Sequence, residues 1–175
     1  MLTYENWATS PSSVYLDEIP FELRSEELKA AYAYWLDCAK GTIPQKKSLV
    51  PRSMKAFLGN VAIFEKKSDG LYLVRLMGTH LTNVIGEMQG RTITDALPLD
   101  AAQRWSQAFD NVIATQRPSH IISHLDIGLH KYLEADIFLA PLLDEDGRTS
   151  MILGVATIII GKRLIEANRI RSDHA

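Results

Sequence analysis

Residues 151–160 read MILGVATIII, and no other stretch restricts the fold as much. The run is too short to cross a bilayer, which takes about 20 apolar residues. It also lacks the polar–apolar alternation of a strand with one wet face. A strand of this composition buries both of its faces. It therefore predicts a central strand, with neighbours on either side and a covering layer above and below.

The rest of the chain supplies those neighbours. Ser119–Ile127 and Lys131–Leu143 are strand-like runs with Gly128 at the turn between them, and Asp144-Glu-Asp-Gly147 marks a hairpin into residues 151–160. Earlier, Val61, Ile63 and Phe64 form one apolar run, and Leu71, Leu73, Val74 and Leu76 form another. The segment KKSDG joins them, and its Asp69-Gly70 pair suits a tight turn needing positive backbone angles. Helical spacing appears three times. Leu28, Ala31, Tyr32, Trp35, Leu36 and Ala39 share a face, with Ser25 as cap, Glu26 and Glu27 at the positive end of the dipole, and Gly41 as a stop. Pro44 and Pro51 then bracket a loop leading to a short helical piece around Met54–Leu58. THLTNVIGEMQG predicts short helices broken at Gly86 and Gly90. Asp100–Gln116 is a longer amphipathic helix with Ala102, Trp105, Phe109, Val112 and Ile113 inward, ended by Arg117-Pro118.

This order predicts an α+β fold: a five-stranded antiparallel sheet with helices across one face and an amino-terminal flanking helix. The last strand is expected between the first and the fourth. Residues 1–24 read as an irregular arm, 25–161 as one domain including the flanking helix, and 162–175 as a charged tail. That tail is expected to leave no room for a further folded module.

Charge and composition narrow the function. A net charge of −2 predicts no nucleic-acid partner, which would call for a basic stripe. No stretch predicts membrane insertion, and the amino terminus has no basic region leading into an apolar run. Cys38 is the single cysteine, so an intramolecular disulfide is impossible and a reducing cytoplasm is the expected location.

The stretch LYLVRLMGTHLTNVIGEMQGRTITDAL resembles the core of the PAS family: a strand ending in Gly78-Thr79, a helix, Gly86, Gly90, and an apolar residue before Asp95. LAPLLDEDG followed by MILGVATI is similar to the final PAS hairpin. The leading segment AYAYWLDCAKGTIPQKKSLVP resembles the extension of a bacterial subfamily of stand-alone PAS proteins, with lysines at 46 and 47 where that subfamily often has arginines. The resemblance implies a sensory, non-catalytic domain that binds a small apolar ligand, a protein partner such as a component of a histidine-kinase pathway, or both. It also implies a homodimer.

A PAS sheet curls around a cavity roofed by helices. The residues expected to face inward are Leu76, Leu81, Val84, Ile85, Leu97, Trp105, Phe109, Ile122, His124, Leu133, Ile137 and Ile152. Such an apolar set fits either a lined pocket or a packed core. Tyr32, Tyr34 and Trp35 on the flanking helix are candidates for a dimer or partner interface, with packing on the chain's own sheet as the alternative. The cofactor is left open. Haem is disfavoured because Asp100–Gln116 carries no histidine, and a covalent flavin adduct because Cys38 lies on the flanking helix. No metal site is expected: His120, His124 and Asp126 share a strand face, but its ends are about 20 Å apart. Nor is a catalytic set expected. Ser123 and His124 point to opposite faces, and Glu134 and Asp136 read as a solvated sheet face. Two rival functions follow from the fold class: a small isomerase- or dehydratase-like enzyme on a cone-shaped α+β scaffold, and a ligand-free interaction adaptor.

Overall fold

A computed structural model describes the backbone of residues 11–15, 23–126 and 132–160, and the side chains of 23–123 and 134–158. The first described element is a short strand, β1 (Pro11–Tyr15). Helix α1 (Glu26–Ala39) follows, its first turn capped by the Ser25 hydroxyl, which accepts from the Leu28 N–H at 3.1 Å. Lys40 ends it in the left-handed conformation, ahead of Gly41. Three 3-10 turns at Lys46–Ser48, Pro51–Met54 and Leu58–Asn60 lead into β2 (Val61–Lys66) and β3 (Tyr72–Met77). Helices α2 (Thr79–Ile85), α3 (Ile93–Ala96) and α4 (Leu99–Thr115) cross over to β4 (Ser119–Asp126), β5 (Tyr132–Leu143) and β6 (Thr149–Ile160). Both expected hairpin turns are present, with Gly70 and Gly147 at φ +86° and +77°.

The sheet runs β1-β4-β5-β6-β2-β3, and every neighbouring pair is antiparallel. β6 lies between β5 and β2, where its two-faced apolar composition places it. One expectation is corrected. Residues 1–24 are not wholly an irregular arm, because Val14 pairs with Ile121 and Tyr15 with His120, which adds a sixth strand at the edge. Pro11, at the strand's first position, is tolerated there because the missing N–H removes no interior ladder bond. The partner strand lies about a hundred residues away, so no local pattern announces it. The charged tail, residues 162–175, lies outside the described residues. Among those described, no helix is long and apolar enough to cross a membrane.

Alternation along β6 divides the core into two layers. Ile152 and Ala156 face α2, α3 and α4. Leu153 and Val155 face the opposite way, towards Leu28, Ala31 and Trp35 of α1 and towards Met54 and Phe57. Burying one such large side chain contributes about 1.5–3 kcal/mol. α1 is fixed in addition by a directional bond, the Trp35 indole N–H donating to the Pro141 carbonyl at 3.0 Å.

The passage from β3 into α2 is tight. A Cβ on Gly78 would sit 2.4 Å from the Gly59 carbonyl oxygen, which is backbone and cannot step aside. Gly78 also donates its N–H to the Val61 carbonyl at 2.7 Å, which ties the strand end to the start of β2.

Candidate functional site

Between the sheet and helices α2–α4 the packing leaves a cavity of about 50 Å³. Its floor is made of small residues on the central strands: Ala62, Gly154 and Ala156. At Gly154 the space is bounded closely, since an added Cβ would lie 3.2 Å from the Phe64 ring. The roof comes from Trp105 and Phe109, one turn apart on α4, and from Leu81 and Ile85 of α2. Phe64, Met77, Met88, Ile93, Leu97, Ile137, Leu139 and Val155 complete the lining. Among the described residues, the Trp105 indole is the one lining side chain that carries a nitrogen or oxygen. Two flexible thioethers make the wall adaptable, since methionine changes rotamer cheaply.

Leu81, Ile85, Leu97, Trp105, Phe109 and Ile137, all expected from the sequence, meet at this cavity. Ile152 is buried on the same face and Val84 is partly buried against it, but neither lines the space. The side chains of His124 and Leu133 lie outside the described residues. Leu76 and Ile122 are corrections. Ile122 stands opposite Asp136 in the β4–β5 ladder, while Ile121 stands opposite Ile137, so it is Ile121 that faces the helices.

For Leu76 the cause is a bulge. Phe64 pairs with Val74 but Ile63 pairs with Leu76, so Arg75 is an extra residue on β3. An extra residue exchanges the two faces of the strand beyond it. Leu76 consequently points to the α1 side, 36 % exposed, and Met77 takes the cavity position. The small floor residues and the methionines were missed because an alanine or glycine inside an apolar strand does not reveal that it borders a void.

The three aromatic residues proposed for an interface are used within the chain. Trp35 is buried against β5, Tyr32 meets Phe138 edge-on at 5.6 Å, and Tyr34 packs on Phe57 at 6.0 Å while its hydroxyl accepts from the Val50 N–H at 2.7 Å. Trp35 and Tyr32 thus pack on the chain's own sheet, and Tyr34 on the turns that precede β2.

A polar clamp holds the roof beside the cavity. The Tyr72 hydroxyl and the Lys66 ammonium both donate to one carboxylate oxygen of Asp110 on α4, each at 2.6 Å, and Phe109 packs on the Tyr72 ring at 5.0 Å. Burial pushes the Tyr72 phenol well above its ordinary range, with the Asp110 bond and charge adding to it. Asp110 moves the other way. Burial would raise it, but the bonds from Lys66 and Tyr72 and the lysine charge together hold it below the usual aspartate value. A carboxylate lowered in the folded state stabilises above its unfolded pKa, and that contribution is lost as pH falls through the folded one. Asp110→Asn should therefore cost about 1 kcal/mol at neutral pH, modest because the pair is half-exposed to water. In denaturant melts, the difference from wild type should shrink below about pH 4. An undiminished difference at pH 3 would show that the charge of Asp110 is not what matters.

The descent of the chain is fixed by sequence comparison. Residues 23–157 match the family model described as the PAS domain. The chain belongs to the PAS domain family. No curated protein matches it. Similar solved structures include the PAS domain of BvgS from Bordetella pertussis, 13% identical, with 84% of this chain and 99% of that one covered and a TM-score of 0.47. A sensory box sensor histidine kinase from Vibrio cholerae is 16% identical over 76% of this chain and 93% of that one, with a TM-score of 0.42.

Among the described residues, the lining of the cavity carries neither an imidazole nor a thiol. Cys38 belongs to α1, on the far side of the sheet, with its sulfur 4.0 Å from the Ser48 carbonyl. The volume is also well short of the roughly 300–1,000 Å³ usual for drug-sized ligands.

The α1 face of the PAS sheet holds a group that sequence reading placed wrongly. Asp136 is fully buried, not on a solvated face, and His120 is 4% exposed. The His120 Nε2 and the Asp136 carboxylate are hydrogen-bonded. The other Asp136 oxygen accepts from the Arg24 backbone N–H at 3.3 Å, and the Arg24 guanidinium pairs with Glu134. Beside them, the Thr157 hydroxyl meets the Ser25 hydroxyl at 3.2 Å. The cluster pins the start of α1 to the middle of the sheet. Its cause is α1 itself, which covers a strand face that would otherwise meet water.

Proposed function

We propose that this PAS domain is a non-catalytic sensory module whose cavity takes up a small apolar ligand and whose altered roof is read by a signalling partner, such as a component of a histidine-kinase pathway. The observation that carries the reading is the cavity itself: an almost wholly apolar lining, a floor of small residues and two adaptable methionines. A polar ligand atom placed there without a partner would cost about 2–7 kcal/mol, so the lining selects for hydrocarbon. Signalling then works by population shift, the ligand favouring the more open arrangement of α2–α4 over the sheet. A homodimer belongs to the same reading. The rival enzyme would need a buried carboxylate or histidine facing the cavity, whereas Asp136 and His120 lie on the opposite face of the sheet.

Native mass spectrometry of freshly purified protein tests the reading. A retained, extractable small-molecule mass is the expected result, and it should disappear in Ala156→Leu, which fills the floor. A bare protein that binds no fatty acid or alkane would leave the second reading, a ligand-free adaptor. The small resting volume of the cavity favours that alternative.

A further inference from the structure

The walls of the cavity are held unevenly. Its floor is continuous sheet, with β6 bonded to β5 on one side and to β2 on the other. α4 is fixed by Phe109, packed among Phe64, Tyr72 and Trp105, and by the clamp on Asp110. The remaining side, between the end of α2 and the outer edge of β3, is closed by a strap, residues 86–90.

Each end of the strap is a glycine at positive φ, Gly86 at +89° and Gly90 at +82°. Glycine occupies that region about as readily as the ordinary one, so both ends can turn without strain. From Gly90 onward the chain is anchored. The Gly90 N–H donates to the Val74 carbonyl at 2.8 Å, the Val74 N–H donates to the Arg91 carbonyl at 2.9 Å, and Leu73 bridges Thr92. Among the described residues, no backbone hydrogen bond joins 87–89 to β3. The Gln89 carboxamide makes a tie instead, its oxygen accepting from the Met77 N–H at 3.1 Å. Gln89 and Glu87 are exposed, whereas Met88 between them is 3% exposed and lines the cavity, as does the half-buried Met77.

We propose that this strap is the entry gate of the cavity, with Met88 as its plug and the bond from Met77 to Gln89 as its latch. Passage here needs one hydrogen bond to open and one unbranched side chain to change rotamer. A route under α4 would unpack Phe109 from three rings, and a route through the floor would break the sheet. The inference rests on the cavity half of the proposed function and assigns how a ligand reaches that site. Gln89 is a positioning residue, acting through Met88.

The probe is xenon, which dry apolar cavities take up, followed in full-length protein by ¹²⁹Xe saturation transfer to give residence time and affinity. Gln89→Ala should shorten the residence time several-fold and leave the affinity nearly unchanged, because a gate sets the barrier and not the bound state. Met88→Leu, similar in volume but branched and stiffer, should lengthen it. Opposite signs from two variants of one strap are not what a general loosening of the fold produces. The gate is overturned if Gln89→Ala leaves the residence time unchanged while xenon still binds, or if Asp110→Asn, which loosens α4, shortens it more. No uptake of xenon by the wild-type protein would remove the cavity reading itself, and the gate with it.

Discussion

Asp136→Ala is expected to lower the stability of the domain by about 3–5 kcal/mol, the cost of leaving half of a buried polar pair behind. Asp136 has no exposed surface, and its two oxygens serve His120 and the Arg24 N–H. Removing the carboxylate strands a buried imidazole and a backbone donor, each penalised by lost solvation. The local consequence is specific. Amide exchange at the first turn of α1 should accelerate more than exchange in α4, because Arg24 and Ser25 are moored here and α4 is not. Replacing His120 and Asp136 together by apolar residues should cost less than the single change, since the imidazole is no longer stranded and only the Arg24 N–H loses its acceptor. A loss below about 1 kcal/mol for Asp136→Ala, in chemical denaturation, would mean that water reaches the pair.

Phe109→Ala should have an effect of similar size on the other layer. The ring is 1% exposed and meets Phe64 at 4.5 Å, Tyr72 at 5.0 Å and Trp105 at 5.9 Å. Truncating a buried Phe costs about 3–5 kcal/mol through lost transfer energy and the void left behind. In a domain of this size each kcal/mol moves the melting temperature by about 2–4 °C, so a drop near 10 °C is expected. Leu99→Ala on the same helix supplies the control. Leu99 is 65% exposed and should change stability by less than about 0.5 kcal/mol. Equal effects from the two would mean that the helix contributes through its own propensity and not through the ring.

These two sites show what could be read from the chain. Phe109 was legible because its spacing from Trp105, Val112 and Ile113 is helical, and spacing is a local property. The position of β6 was legible because a strand without a polar face has nowhere to sit but the middle. Asp136 was not legible. Its alternation with Ala135 and Ile137 is that of a strand with one wet face, and only the arrival of α1 over that face buries it. The signal that could have warned of this lies just downstream, where Phe138, Leu139, Ala140 and Leu142 are apolar on both faces of the same strand. Leu76 failed for a different reason. Regular alternation would put Leu76 on the same face as Val74, but the bulge at Arg75 breaks it, and a bulge is set by pairing with β2 and not by composition. Half of the cavity wall could thus be named from helical and strand periodicity. Its floor could not, because Ala62, Gly154 and Ala156 matter for the atoms they lack.

Methyl NMR under xenon pressure tests the central claim most directly, that the α2–α4 face of this PAS sheet encloses a dry apolar space able to admit a ligand. Cavities of this kind take up xenon. Saturable shifts are predicted at Met77, Met88, Ile85, Ile93 and Ala156, with Met54, Leu142 and Leu153 on the α1 side far less affected. Equal, non-saturating drift of both sets would contradict the claim and leave this face a closed core.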